Sequence, residues 1–100
     1  MNLKLSKSEF FSLYLLLETS IADVRPKGIE ATALHGLLHG IYKKFYIRAF
    51  VTRDKYSVTI TDAEACAFYM FFSKHGLKGE NTHAINLVIQ INSSIHQKFS

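Results

Sequence analysis

Residues 58–72, VTITDAEACAFYMFF, say in altered wording what residues 3–17, LKLSKSEFFSLYLLL, have already said. At a shift of 55, Leu3 and Leu5 fall on Val58 and Ile60, with polar Lys4 and Thr59 between them. That alternation predicts a short strand with one buried face. Ser6 falls on Thr61 and Glu9 on Glu64, so each stretch spells Ser/Thr-x-x-Glu before an apolar run. The pattern is a capping box: the hydroxyl accepts from the third helical amide, and the glutamate reaches back to the amide of the cap itself. Tyr14 then falls on Tyr69, inside runs that are apolar in both copies.

The echo continues into a second helix. ALHGLLHGIYKKF (33–45) lies over LVIQINSSIHQKF (87–99) at a shift of 54, matching Leu34, Leu37, Ile41 and Phe45 to Val88, Ile91, Ile95 and Phe99. Between the two helices of each copy sits a breaker, RPKG (25–28) and HGLKG (75–79), whose proline and glycines interrupt a helix. The unit is strand, long helix, turn, second helix, present twice in one domain (1–100), with halves at roughly 1–48 and 56–100. A lone short strand is unstable, so the strands at 3–5 and 57–60 are expected to pair antiparallel about a pseudo-twofold axis. The expected fold is α+β and predominantly helical, a tandem strand-helix-helix repeat of about four helices with a small two-stranded antiparallel sheet. Residues 46–60 admit two readings, a hairpin turning at Arg53-Asp54-Lys55 or a helix reaching about Ala49 followed by loop and strand. The absence of a turn glycine favours the helix.

With 48% hydrophobic residues and thirteen aromatics, the chain has ample material for a core, which excludes disorder. The single cysteine, Cys66, excludes an internal disulfide framework and suits a reducing, cytoplasmic setting. The N-terminal run has the look of a secretory leader, but Glu9 at its start and the interior copy favour a core helix. Neither apolar run reaches the ~18 residues of a membrane span. Phe10, Phe11, Leu13, Leu15, Leu16 and Leu17 point nearly all round their helix, as do Ala65, Cys66, Phe68, Met70, Phe71 and Phe72. Helices apolar on every side call for burial on every side, and a domain this small enclosing two of them implies a homodimer.

Charge is the most informative functional feature. Lys43, Lys44, Arg48, Arg53 and Lys55 face only Asp54, so this stretch carries the whole formal net charge of +4. Phe45, Tyr46, Phe50 and Tyr56 interleave with the cations, the combination that phosphate contact and base stacking require. A solvated helix end is the competing explanation, since lysines there complement the helix dipole. His35 and His39 stand four apart, a spacing at which two imidazoles could share a metal. HGLLH nevertheless lacks the glutamate of the zinc-protease motif, and the expectation is no metal and no cofactor. Gly36 and Gly40 each cost the helix about 1 kcal/mol relative to alanine, which a close helix crossing or dimer contact would offset. No phosphate loop, nucleophile elbow or reactive-cysteine signature occurs, so no enzyme is expected. Cys66 reads as an inert core thiol.

Three functional classes follow. The first is a non-catalytic interaction module, homodimeric, whose basic-aromatic segment at 43–56 contacts a polyanion or an acidic protein. The second is a DNA-binding regulator. Strand-helix-helix resembles, in topology alone, the order of elements in ribbon-helix-helix repressors, which implies paired strands entering the major groove. Asn2, Lys4, Ser57 and Thr59 would then face the bases. This chain departs from that pattern in its longer first helices and in a basic cluster placed mainly before the second strand. The third is an enzyme, which lacks any visible constellation of acids, base and nucleophile.

Overall fold

Both predicted capping boxes form. The Ser6 hydroxyl accepts from the Glu9 amide at 3.3 Å while the Glu9 carboxylate accepts from the Ser6 amide at 2.8 Å. The Thr61–Glu64 pair repeats the exchange at 3.1 and 2.8 Å. Each box satisfies two amides that a helix N-terminus otherwise leaves without partners.

The computed structural model describes residues 1–75 and 82–100. In chain order the elements are β1 (Asn2–Ser6), α1 (Lys7–Asp23), α2 (Ile29–Ala49), β2 (Lys55–Thr59), α3 (Asp62–His75) and α4 (Thr82–Phe99). The fold is α+β and predominantly helical, with one two-stranded antiparallel sheet. Gly28 precedes α2 with φ +90°, a backbone that side-chain-bearing residues rarely adopt, so this breaker needs its glycine. The second breaker lies, beyond His75, outside the described residues. Residues 46–49 continue α2, and the strand follows a short loop rather than a hairpin.

Strand pairing sets the symmetry of the fold. Leu3 lies opposite Val58, the residue onto which the shift of 55 carries it, with Leu5 opposite Tyr56 and Asn2 opposite Thr59. A local twofold axis relating the strands therefore passes through the Leu3–Val58 pair. The helices follow the same relation. α1 and α3 each pack against both α2 and α4, while the diagonal pairs α1/α3 and α2/α4 make no close backbone approach among the described residues. Exchanging the halves leaves this ring of neighbours unchanged.

One face of the sheet supplies the core with Leu3, Leu5, Tyr56 and Val58, and the other turns Lys4, Ser57 and Thr59 to solvent. Phe10 lies between Phe45 and Tyr56, with ring centroids at 5.0 and 3.9 Å and planes within 13°. On α4, Ala84, Leu87, Val88, Ile91 and Ile95 form a single buried stripe at helical spacing.

The first helices are not enclosed on all sides within the chain. α1 buries Phe10, Leu13 and Leu17, but Phe11 and Leu15 are 37% and 60% exposed, and Met70 on α3 is 53% exposed. Four helices in a ring give each helix two flanking neighbours and leave an outer strip uncovered. One hundred residues cannot supply a second layer.

Candidate cationic cleft

The loop after α2 is shaped by one phenol. The Tyr56 hydroxyl donates to the Val51 carbonyl at 2.9 Å and accepts from the Arg53 amide at 3.1 Å. The Tyr56 ring is itself buried and stacked on Phe10, so the core fixes the point from which the loop is held. A further bond from the Lys7 amide to the Asp54 carbonyl, at 3.0 Å, ties the loop to the start of α1.

Between this loop, the end of α2 and the ribbon lies an open cleft of about 870 Å³. Four cations line it: Lys4 from β1, Arg48 from α2, Arg53 from the loop and Lys55 from β2. Opposing them is Glu9, one of whose oxygens already accepts from the Ser6 amide. Arg48 directs one N–H towards the Lys44 carbonyl at 3.5 Å, which leaves its other donors to the cleft. Ile47 and Val51 add an aliphatic wall and are 66% and 51% exposed. Cations from segments far apart in sequence thus converge on one concave surface, where their fields add.

Not all of the predicted contact residues belong there. Lys44 pairs with the buried Glu64 carboxylate across the α2–α3 crossing, at 2.5 Å. Burial alone would raise the Glu64 pKa, but the Lys44 ammonium and the Thr61 amide and hydroxyl hold it below the usual value. Lys43 is exposed on α2 outside the cleft, and Thr59 is exposed at the far end of the ribbon opposite Asn2. Of the four interleaved aromatics, Phe45 and Tyr56 are core residues. Tyr46 and Phe50 are exposed, stand edge to face at 5.1 Å and lie outside the cleft lining.

The glycines and histidines also find their places. Gly40 is half-buried against α3, where a Cβ would stand 2.9 Å from Glu64 Oε2. Of the two expected offsets, a helix crossing or a dimer contact, Gly40 therefore makes its close approach at a crossing inside the chain. Gly36 is exposed, with open space where a Cβ would go. His35 Nε2 bonds to the Ile21 carbonyl at 3.1 Å, and His39 is exposed beside the Tyr42 ring. Among the described residues no three potential metal ligands gather. Cys66 is half-buried and free.

A second surface runs across α1 and α2. Phe11, Tyr14, Tyr42, Tyr46 and Phe50 form an unbroken row with centroid spacings of 5.1–6.5 Å. Desolvation, a hydrogen bond with Tyr42 and the nearby Glu18 push the Tyr14 hydroxyl up to about 12. The related position across the pseudo-twofold holds Tyr69 stacked on His96 at 6.0 Å.

Sequence reasoning missed the roles of Glu9, Ile47, Val51 and Glu64. Glu9 and Glu64 were legible only as caps. The one signal for the aliphatic wall was the presence of Ile47 and Val51 inside the basic segment. Among the described residues no helix is long and apolar enough to cross a membrane. No protein-family model matches the chain, and no curated protein or solved structure shows significant similarity to it.

Proposed function

We propose that the chain is a non-catalytic interaction module, cytoplasmic and homodimeric, that holds an anionic partner in the cleft between the ribbon and the end of α2. The convergence of Lys4, Arg48, Arg53 and Lys55 on one concave surface carries this reading. Four cations against one capped carboxylate suit charge recognition.

The homodimer draws support from exposed apolar side chains: Phe11, Leu15, Tyr46 and Phe50 are 37%, 60%, 48% and 74% exposed on α1 and at the end of α2. The aromatic row with Leu15 beside it is the better surface for that contact, because Gly36 has no side chain to bury. Sedimentation should give a concentration-dependent dimer that Leu15→Glu dissociates. A monomer at all micromolar concentrations refutes this part of the reading.

The anion contact is tested by titrating polyglutamate at low salt and following backbone amide shifts. Residues 4, 48, 53 and 55 should respond together, and R53E/K55E should weaken binding at least ~10-fold, about 1.4 kcal/mol. Shifts spread evenly over every surface lysine, or no binding at low salt, refute it.

A DNA-binding reading has one observation in its favour: the outward ribbon face carries Asn2, Lys4, Ser57 and Thr59, all exposed. The Ser57 hydroxyl already donates to Asn2 Oδ1 at 2.7 Å, which reduces what this pair offers to bases. Salt-dependent binding of duplex DNA that Lys4→Ala and Thr59→Ala weaken would favour this reading instead.

A further inference from the structure

We infer that the cleft takes a short acidic peptide segment with aliphatic side chains between its carboxylates, in preference to a nucleic acid or a polyphosphate. The inference rests on the reading of the cleft as an anion site and names the class of anion. Its basis is the mixture of groups the fold brings together. Lys4 and Lys55 stand on the same outward face of the ribbon, on neighbouring strands and diagonal to each other across the Lys4–Ser57 and Ser6–Lys55 pairs. Arg48 and Arg53 come from α2 and its loop, and Ile47 and Val51, from the same stretch of chain, line the cleft with them.

A phosphate chain would engage the cations and leave both aliphatic side chains in water. A peptide that alternates carboxylates with aliphatic groups engages the cations and covers Ile47 and Val51 at once, which removes apolar surface from water. Base stacking is not on offer, since the cleft's one aromatic ring, Tyr56, is buried against Phe10. The volume of about 870 Å³ lies in the range of small-ligand sites. Guanidinium groups pair with carboxylates and phosphates alike, so the aliphatic wall is what separates the two classes of anion.

The experiment uses the intact chain and four probes at the same ionic strength. They are a synthetic peptide alternating aspartate and leucine, one alternating aspartate and serine, inorganic tripolyphosphate and a short DNA duplex. The aspartate–leucine peptide should bind at least ~10-fold more tightly than the aspartate–serine peptide. I47S/V51S, at two exposed positions, should abolish that preference while leaving the aspartate–serine affinity unchanged. R53E/K55E should weaken both peptides, with circular dichroism confirming that each variant is folded. Equal affinities for the two peptides, or tightest binding by tripolyphosphate or DNA, overturn the peptide assignment and leave the anion site standing. If no probe shifts any cleft residue, both readings fall together.

Discussion

Gly40 and Gly36 stand four residues apart on α2, and alanine at the two sites should have opposite effects. In a helix interior glycine costs about 1 kcal/mol relative to alanine, because it has more backbone freedom to lose. At Gly36 a Cβ meets nothing within 4 Å, so Gly36→Ala should recover that ~1 kcal/mol in full. At Gly40 the Cβ would stand 2.9 Å from Glu64 Oε2. A free glutamate would swing away at little cost, but this one is buried, its other oxygen accepting from the Thr61 amide at 2.8 Å and from Lys44. Displacing it weakens a cap bond worth roughly 1 kcal/mol and a charged hydrogen bond worth roughly 1.5–3 kcal/mol. After the helix gain is subtracted, Gly40→Ala should destabilise by about 1.5–3 kcal/mol. Thermal unfolding followed by circular dichroism at matched protein concentrations reads both. Gly36→Ala should raise the midpoint by about 4–8 °C and Gly40→Ala should lower it by a similar amount or more. A rise for Gly40→Ala equal to that for Gly36→Ala would show that Glu64 is not held as described, and the reasoning would fail.

Phe10→Ala removes the ring between Phe45 and Tyr56 and should cost about 3–5 kcal/mol in urea unfolding; a loss below 1 kcal/mol would contradict the stack. Glu64 has a lowered pKa in the fold, so the unfolded chain binds more protons there and stability falls as pH drops through about 4.5 towards the folded value. Glu64→Gln should flatten that acid limb below about pH 4.5, and an unchanged limb would show that the pair with Lys44 contributes nothing. Tyr14 has a raised pKa, so the folded chain holds its proton longer, and stability should decline between about pH 10 and 12. Tyr14→Phe should remove part of that decline, as read by melting curves from pH 9 upward.

Local patterns carried most of the architecture. Leu3, Leu5 and Val58 alternate with polar residues, Ser6 and Thr61 stand three before glutamates, and Pro26 and Gly28 interrupt a helical run. Each of these acts within a few residues of itself, through side-chain direction, hydrogen bonding to nearby amides or restricted backbone angles, so a linear text displays them. The antiparallel pairing of the two strands was expected as well, while their register, with Leu3 opposite Val58, came from the structure. The charge cluster was equally visible as composition, because counting needs no coordinates.

Which members of that cluster act together was decided only by the packing. Lys43, Lys44 and Arg48 lie within one and a half turns of a helix, yet one is free on the surface, one is consumed by Glu64, and one reaches the cleft. Lys4, almost fifty residues before Arg53, joins the site because the strands pair antiparallel. Phe45 leaves the site for the core, and Tyr56 keeps only its place in the cleft wall with its ring buried, because burying rings outweighs offering them to a partner. Helical phase and strand pairing assign side chains to faces; what each face meets depends on how the ring of helices closes. That closure is a sum of long-range contacts that no short stretch of the chain contains.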